Sequence, residues 1–126
     1  MIKELVISII IVISIFSLDV VTQNFTEQST HETSNMLVEL KDNIKGKNPN
    51  IQELLEKIFD KWNKRKETLA YFIEHDELEK VETNLTNIKS FVAVEDLDMA
   101  ISSIEEAEFI LQHIEEKNRF NLKNIF

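Results

Sequence analysis

The sequence predicts an all-α protein, with an N-terminal transmembrane helix continuing into an antiparallel bundle of three to four helices. Three observations predict it. The 126 residues include one Gly and one Pro, too few turn formers for an all-β or α/β domain. Past position 33 the apolar residues recur at spacings of three and four, the helical period. The run from Leu5 to Leu18, LVISIIIVISIFSL, holds only apolar residues and Ser8, Ser14 and Ser17.

That run is shorter than the ~20 residues needed to cross hydrocarbon. Its flanks lengthen it, because Lys3 can snorkel and Val20 and Val21 continue the apolar character past Asp19. A helix from Ile2 to Val21 then covers about 30 Å. A secretion signal should end in a small-x-small cleavage site, yet the first Ala is Ala70. A core helix of a soluble protein would keep a polar face, and this run is apolar all round. An uncleaved anchor over residues 2–21 is therefore expected, with a removed signal and a core helix as the alternatives. Lys3 precedes the run, and no Lys or Arg occurs from Asp19 to Leu40. The positive-inside rule puts the N-terminus in the cytoplasm and the remainder outside.

Thr33, Leu37, Leu40 and Ile44 fall at 4-3-4 spacing, so the first helix is expected to continue to about Lys45. Its middle, Thr22 to Ser34, is rich in weak helix formers and is expected to be loose. GKNPN breaks the chain, with Gly46 the expected left-handed C′ residue and Asn50 and Glu53 a capping start. A second helix, Ile51 to about Glu74, carries the stripe Ile51, Leu55, Ile58, Trp62, Leu69 and Phe72, with Arg65 in its polar slot and Leu54, Phe59 and Ile73 widening it. Asp76 and Glu79 have capping-box spacing before a third helix bearing Leu78, Val81, Leu85, Ile88 and Val92. Asp96 is the expected N-cap of a fourth, with Ala100, Ile104, Ala107, Leu111 and Ile114, ending near Lys117. The tail NRFNLKNIF is apolar at Phe120, Leu122, Ile125 and Phe126 and is expected to dock on the bundle. This divides the chain into an anchor helix (1–22), a membrane-proximal helix and turn (23–50) and a helical bundle domain (51–126).

Taken in order, several stretches resemble one family: MIKELVISIIIV, Trp62, FIEHDEL (Phe72 to Leu78), Asp96 with Ala100, LQHIEE (Leu111 to Glu116) and NLKNIF. It is domain-of-unknown-function family 4363, small membrane-anchored proteins of clostridia and related Firmicutes. The likeness covers nearly the whole chain, and it rests on order and spacing rather than on any one motif. It implies a bacterial helical protein with a single anchor, and it implies no activity.

The net charge of -9 disfavours nucleic acid, whose phosphates need clustered Lys and Arg. With no Cys there is no disulfide, thiolate metal site or cysteine nucleophile. No P-loop, Rossmann or G-x-S-x-G pattern occurs, and H-E-x-x-H is absent. No cofactor is expected. The candidate metal ligands are His75, His113 and Glu116, should the second and fourth helices bring the two His together. The plainer reading has His75 bonding free carbonyls where the second helix ends, and His113 favoured near the negative end of the fourth. His31, in the stretch read as loose, is expected to be solvated. The pairs Glu105–Glu106, Glu115–Glu116 and Glu77–Glu79 read as solvated faces, since catalysis needs a carboxyl of raised pKa in a dry cleft.

Trp62 and Tyr71, with His75 and His113, are the candidate pocket or interaction residues. At its stripe position Trp62 reads first as core, where its indole N–H needs a partner. Lys57, Lys61, Lys64, Arg65 and Lys66 make the second helix basic. From Val92 to Glu116 there are eight acids and no Lys or Arg, so these two helices are expected to be complementary neighbours. The functional expectation is a non-enzymatic, single-pass module at the cell membrane with its bundle extracytoplasmic, acting on an unidentified protein partner. The alternatives are a small-ligand sensor with a cavity near Trp62 and the two His, or a metal-dependent enzyme. No oligomeric state follows from the sequence.

Overall fold

The computed structural model describes residues 1–125, with side chains described through Phe120. They form four helices: α1 (Ile2–Lys45), α2 (Ile51–Leu69), α3 (His75–Ala93) and α4 (Leu97–Ile125). At 1.5 Å per residue α1 is ~66 Å long, twice what a bundle of this size needs. Its two halves meet different surroundings. Residues 2–18 are exposed all round. From Thr26 onward one face is buried, through Thr26, Ser29, Thr30, Thr33, Leu37, Leu40 and Ile44.

The stretch expected to be loose, Thr22 to Ser34, is continuous helix, and Thr26, Ser29, Thr30 and Thr33 lie in the interior. Burial overrides the weak propensity because the hydroxyls cost little to enclose. Thr26 Oγ1 donates to the Thr22 carbonyl at 3.0 Å, Thr30 to Glu27 at 3.0 Å and Thr33 to Ser29 at 2.8 Å. Each threonine hydroxyl is satisfied within its own helix, so it asks nothing of the neighbour it packs against.

The helices run up, down, up and down around a ring, and the order of cross-helix pairs shows α1–α2, α3–α4 and α4–α1 to be antiparallel. Between α1 and α2, Lys61 meets Glu32 at 2.6 Å, and Arg65 bonds Glu32 and, at 2.9 Å, Ser29 Oγ. Between α2 and α3, Lys66 meets Glu82 at 3.2 Å, and between α3 and α4, Lys117 meets Glu74 at 2.8 Å. Between α4 and α1, Lys41 meets Glu108 at 3.5 Å and Arg119 meets Glu27 at 2.7 Å. α4 packs extensively on both α1 and α3, whereas α2 and α3 touch sparingly. α2 and α4 lie across the ring, with no Cα atoms within 8 Å of each other among the described residues. The basic and acidic helices expected to be neighbours are thus diagonal, and the cations of α2 find their acids on α1 and α3.

The core holds Leu37, Leu40, Leu55, Ile58, Trp62, Leu69, Val81, Leu85, Ile88, Ile104 and Leu111, each almost wholly buried. α2 stops at Leu69, short of Glu74, because the Leu69 carbonyl accepts from both Phe72 and Ile73 N–H, each at 2.9 Å, and closes a turn. Ile73 then packs on the core, and Phe72 meets the Phe25 ring edge-on with centroids 6.5 Å apart. Glu74, in extended backbone, takes the N-cap position of α3, without a side-chain capping bond, and Asp76 lies inside the first turn. At α4 the sequence expectation holds: Asp96 Oδ1 accepts from the Met99 N–H at 3.3 Å. α4 does not end near Lys117 but runs on to Ile125, and Phe120, expected to dock, is 62% exposed. The side chains of Leu122 and Ile125, and Phe126, lie outside the described residues.

Two helix ends carry the same motif, at α1 one residue later than expected. Gly46 has φ -81, and Lys47 takes the left-handed position at φ 53. Its N–H reaches the Ile44 carbonyl at 3.2 Å and that of Asn48 reaches Asn43 at 2.9 Å, the paired bonds of a Schellman end. After α3, Glu95 does likewise at φ 59, bonding Val92, while Asp96 bonds Phe91. A side chain in left-handed backbone costs about 1–2 kcal/mol. Lys47→Gly and Glu95→Gly are each expected to stabilise the bundle by about 0.5–1 kcal/mol in urea unfolding, the gain being trimmed by the freer unfolded chain.

Because Leu37, Leu40 and Ile44 are buried in the shared core, the second half of α1 is structural. A chain lacking residues 1–21 is expected to remain helical and to unfold cooperatively in urea by circular dichroism. A chain lacking residues 1–45 is expected to lose that transition.

Candidate functional site

The densest group of titratable side chains lies where α1 crosses α4. Glu27 and His31 sit one turn apart on α1, and Glu115 and Arg119 one turn apart on α4. Antiparallel packing brings the four together. His31 Nε2 lies 2.9 Å from a Glu115 oxygen and 3.8 Å from Glu27, and Arg119 reaches Glu27 at 2.7 Å and Glu115 at 2.6 Å. The group borders an open groove of about 420 Å³ that also takes in Thr30, Gln112 and Glu116. Glu108 lines it as well. One of its oxygens is buried without a hydrogen-bond partner, and the other meets Lys41.

The ligand atoms of Glu27, His31 and Glu115 all lie within 4.8 Å of one another, compact enough for a metal ion. Arg119 argues for another role, because its guanidinium already joins the two carboxylates. Its hydrogen bond holds the Glu27 carboxyl below the usual carboxylate range, and the same bond raises Arg119. A carboxylate so held stays charged and serves as an ion-pair partner rather than a proton donor.

His31 is exposed, as expected of a solvated residue, but the sequence reading missed its partners Glu27 and Glu115. The signal was present, as the Glu27–His31 and Glu115–Arg119 spacings, but a stretch read as loose has no face to point at a neighbour. His113 is exposed and lies 3.9 Å from Glu77 of α3, in a groove shared with Glu74, Asp76, Lys80 and Phe109. His75 is the exposed first residue of α3, not the end of α2, and does not line that groove. Glu116, bonded by Gln112 at 3.1 Å, faces the groove on the α1 side. The structure therefore does not gather His75, His113 and Glu116 at one point. Trp62 is 2% exposed in the core, and its indole N–H is buried without a partner. Tyr71 lies 85% exposed on the α2–α3 turn. Neither lines the grooves described above.

The model of the family described as Domain of unknown function (DUF4363) matches residues 20–125. The chain belongs to this family. Comparison with curated proteins and with solved structures gives no significant match. The DUF4363 match begins where α1 leaves its exposed apolar run, so it coincides with the packed part of the molecule. The apolar window of α1 has mean hydropathy 2.6 and no buried residue, and is long enough to cross a membrane.

The α1–α2 pairs make a second group. Lys61 and Arg65 converge on Glu32, and the Arg65 guanidinium also lies 5.9 Å over the Phe25 ring. The hydrogen bond from Lys61, helped by both positive charges, lowers the Glu32 pKa. The unfolded value is about 4.3. A lowered native pKa gives stability that is present above that value and lost as pH falls through the native one. Glu32→Gln is therefore expected to flatten the loss of stability below about pH 4.5, measured by urea unfolding across pH, and to cost stability at pH 7.

Proposed function

We propose that this DUF4363 chain is a single-pass, membrane-anchored helical module whose bundle stands on the extracytoplasmic face and acts through contacts with another protein. One observation carries the reading: the same unbroken helix is apolar and solvent-exposed over residues 5–18 and packed into the bundle from Thr26 onward. An apolar surface of that length has no place in water, whereas a bilayer supplies the solvent it fits. Lys3 before the run and the absence of Lys and Arg from Asp19 to Leu40 favour the N-terminus inside. The origin in a Firmicutes bacterium belongs to the same proposal.

The contact surface favoured is the α3–α4 groove. Phe109 stands 71% exposed there, beside Asp76, Glu79 and Glu106. A large exposed ring rimmed by acids suits a partner with an apolar anchor and a basic border. The lowered pKa values mark ion pairs, so non-catalytic contact remains the preferred reading over acid–base chemistry.

The anchor and the contact surface are tested separately. The chain is expected to stay with membranes after alkaline carbonate washing, with Met1 or Ile2 still its first residue, and a C-terminal alkaline phosphatase fusion is expected to be active. Release by carbonate, a new N-terminus beyond residue 20, or an inactive fusion would sink the anchor or its orientation. For the partner, crosslinking in the native membrane is expected to give one adduct that Phe109→Ser with Glu106→Lys abolishes; an adduct unchanged by those substitutions would move the contact elsewhere.

A further inference from the structure

Beyond the α1 run, aliphatic side chains are exposed at Val38 and, at the α3–α4 turn, Val94 and Met99, whereas the exposed aromatic rings among the described residues fall in two places. Phe109 lies on the flank of the bundle. Tyr71, Phe72 and Phe120 gather at one end, 85%, 43% and 62% exposed. That end is where α1 leaves the bundle. Two contacts fix the level. The Phe72 ring lies 6.5 Å from Phe25 of α1, and the Asn118 amide donates to the Gln23 carbonyl at 3.5 Å. Tyr71 is 6.5 Å from Phe72, and Phe120 lies about 3 Å beyond Asn118 along the antiparallel α4, level with the last apolar residues of α1, Val20 and Val21.

We infer that the α2–α3 turn and the end of α4 form a lipid-facing collar, in which Tyr71, Phe72 and Phe120 seat the bundle directly in the headgroup layer of the membrane that α1 enters. The inference rests on the anchor reading above. Given that reading, the occupant of this end follows from distance. Headgroups add roughly 5–8 Å on each side of the hydrocarbon. Measured along α1 from Val21, that layer reaches to about Phe25, the residue whose ring touches Phe72. The three exposed rings therefore fall within the layer itself, where aromatic side chains are enriched. A second protein would have to displace lipid to reach them. Among the described side chains, the cations at this end are already paired: Lys117 with Glu74 and Glu77, Arg119 with Glu27 and Glu115. Seating is thus expected on uncharged as well as anionic lipid.

The chain has no Cys, so single cysteines can report depth in the full-length protein. Tyr71→Cys, Phe120→Cys, Phe109→Cys and Ile10→Cys would each carry a nitroxide in phosphatidylcholine vesicles, with and without phosphatidylglycerol. All four positions are exposed, so the fold should tolerate the label. The readout is the ratio of collisions with oxygen, which concentrates in lipid, to collisions with a water-soluble nickel chelate. The expected result is a ratio several-fold higher at positions 71 and 120 than at 109, lower than at 10, and the same in both lipids. Positions 71 and 120 matching 109 while position 10 is deep would overturn the collar and leave the anchor standing. Position 10 in water would overturn the anchor reading itself. Shielding at 71 and 120 with spin–spin broadening between chains would show a second copy covering the rings, and seating only with phosphatidylglycerol would show attraction by charge; either overturns the inference.

Discussion

The structure depends on one seam, the face that α1 buries from Thr26 to Ile44. α4 packs on it from one side and α2 from the other, and α3 is held in turn by α4. The seam has two chemistries. Its upper part, Leu37, Leu40 and Ile44, supplies apolar area of the usual kind, worth about 1.5–3 kcal/mol per fully buried side chain. Its lower part, Thr26, Ser29, Thr30 and Thr33, supplies small volume, with the three Thr hydroxyls satisfied inside α1 and Ser29 Oγ accepting from Arg65 of α2. That composition suits the place where the helix passes from bundle to exposed apolar run. A row of Leu there would join two apolar surfaces into one continuous stripe, with nothing in the sequence to say where packing stops.

The ion pairs act on that seam as markers of register. Each surface pair contributes about 0–1 kcal/mol, too little to hold the bundle. Their arrangement matters more. Glu32 can meet Lys61 and Arg65 only if α1 and α2 are antiparallel and in this alignment, and Glu27 meets Arg119 only if α4 runs back along α1. Sliding either helix by a turn would set these acids beside apolar positions or beside one another. Complementarity is spread around the ring rather than set between a wholly basic and a wholly acidic helix. α2 finds acids on α1 and α3 through Glu32 and Glu82, and α4 pairs with α1 through Lys41–Glu108 and with α3 through Lys117–Glu74.

Helix number, order and most of the core were legible because apolar residues at spacings of three and four can mean little else in a chain with one Gly and one Pro. Leu37, Leu55, Ile58, Trp62, Leu85, Ile104 and Leu111 all lie where their periodicity places them. What escaped were features decided by neighbours. Thr22 to Ser34 reads as loose until the packing of α2 and α4 encloses its hydroxyls, and with that misreading His31 loses its partner, Glu115. Gly46 is the residue composition favours for the left-handed position, whereas α1 keeps it at φ -81 and leaves Lys47 to turn. His75 was put at the end of a helix because Phe72 falls on the stripe of α2. A turn that satisfies the Leu69 carbonyl twice makes His75 the start of the next helix instead.

The unbroken length of α1 has a mechanical consequence. Gly46 and Pro49 both lie beyond its end, and nothing between Ile2 and Lys45 interrupts its hydrogen bonding. A bundle hung from a flexible linker would tumble independently of its apolar segment. Here the segment and the seam are one rigid rod, so the direction of the exposed run fixes the direction of the bundle. A rotation of that run about its axis would turn Glu27, His31 and Glu32 against α4 and α2 together. Such a rotation is opposed not by the weak ion pairs but by the buried face behind them, where Thr26, Leu37 and Leu40 have no exposed surface left to yield. The fold therefore couples the orientation of the helical run to that of the α3–α4 groove through packing. It does so with the same residues that give the bundle its stability.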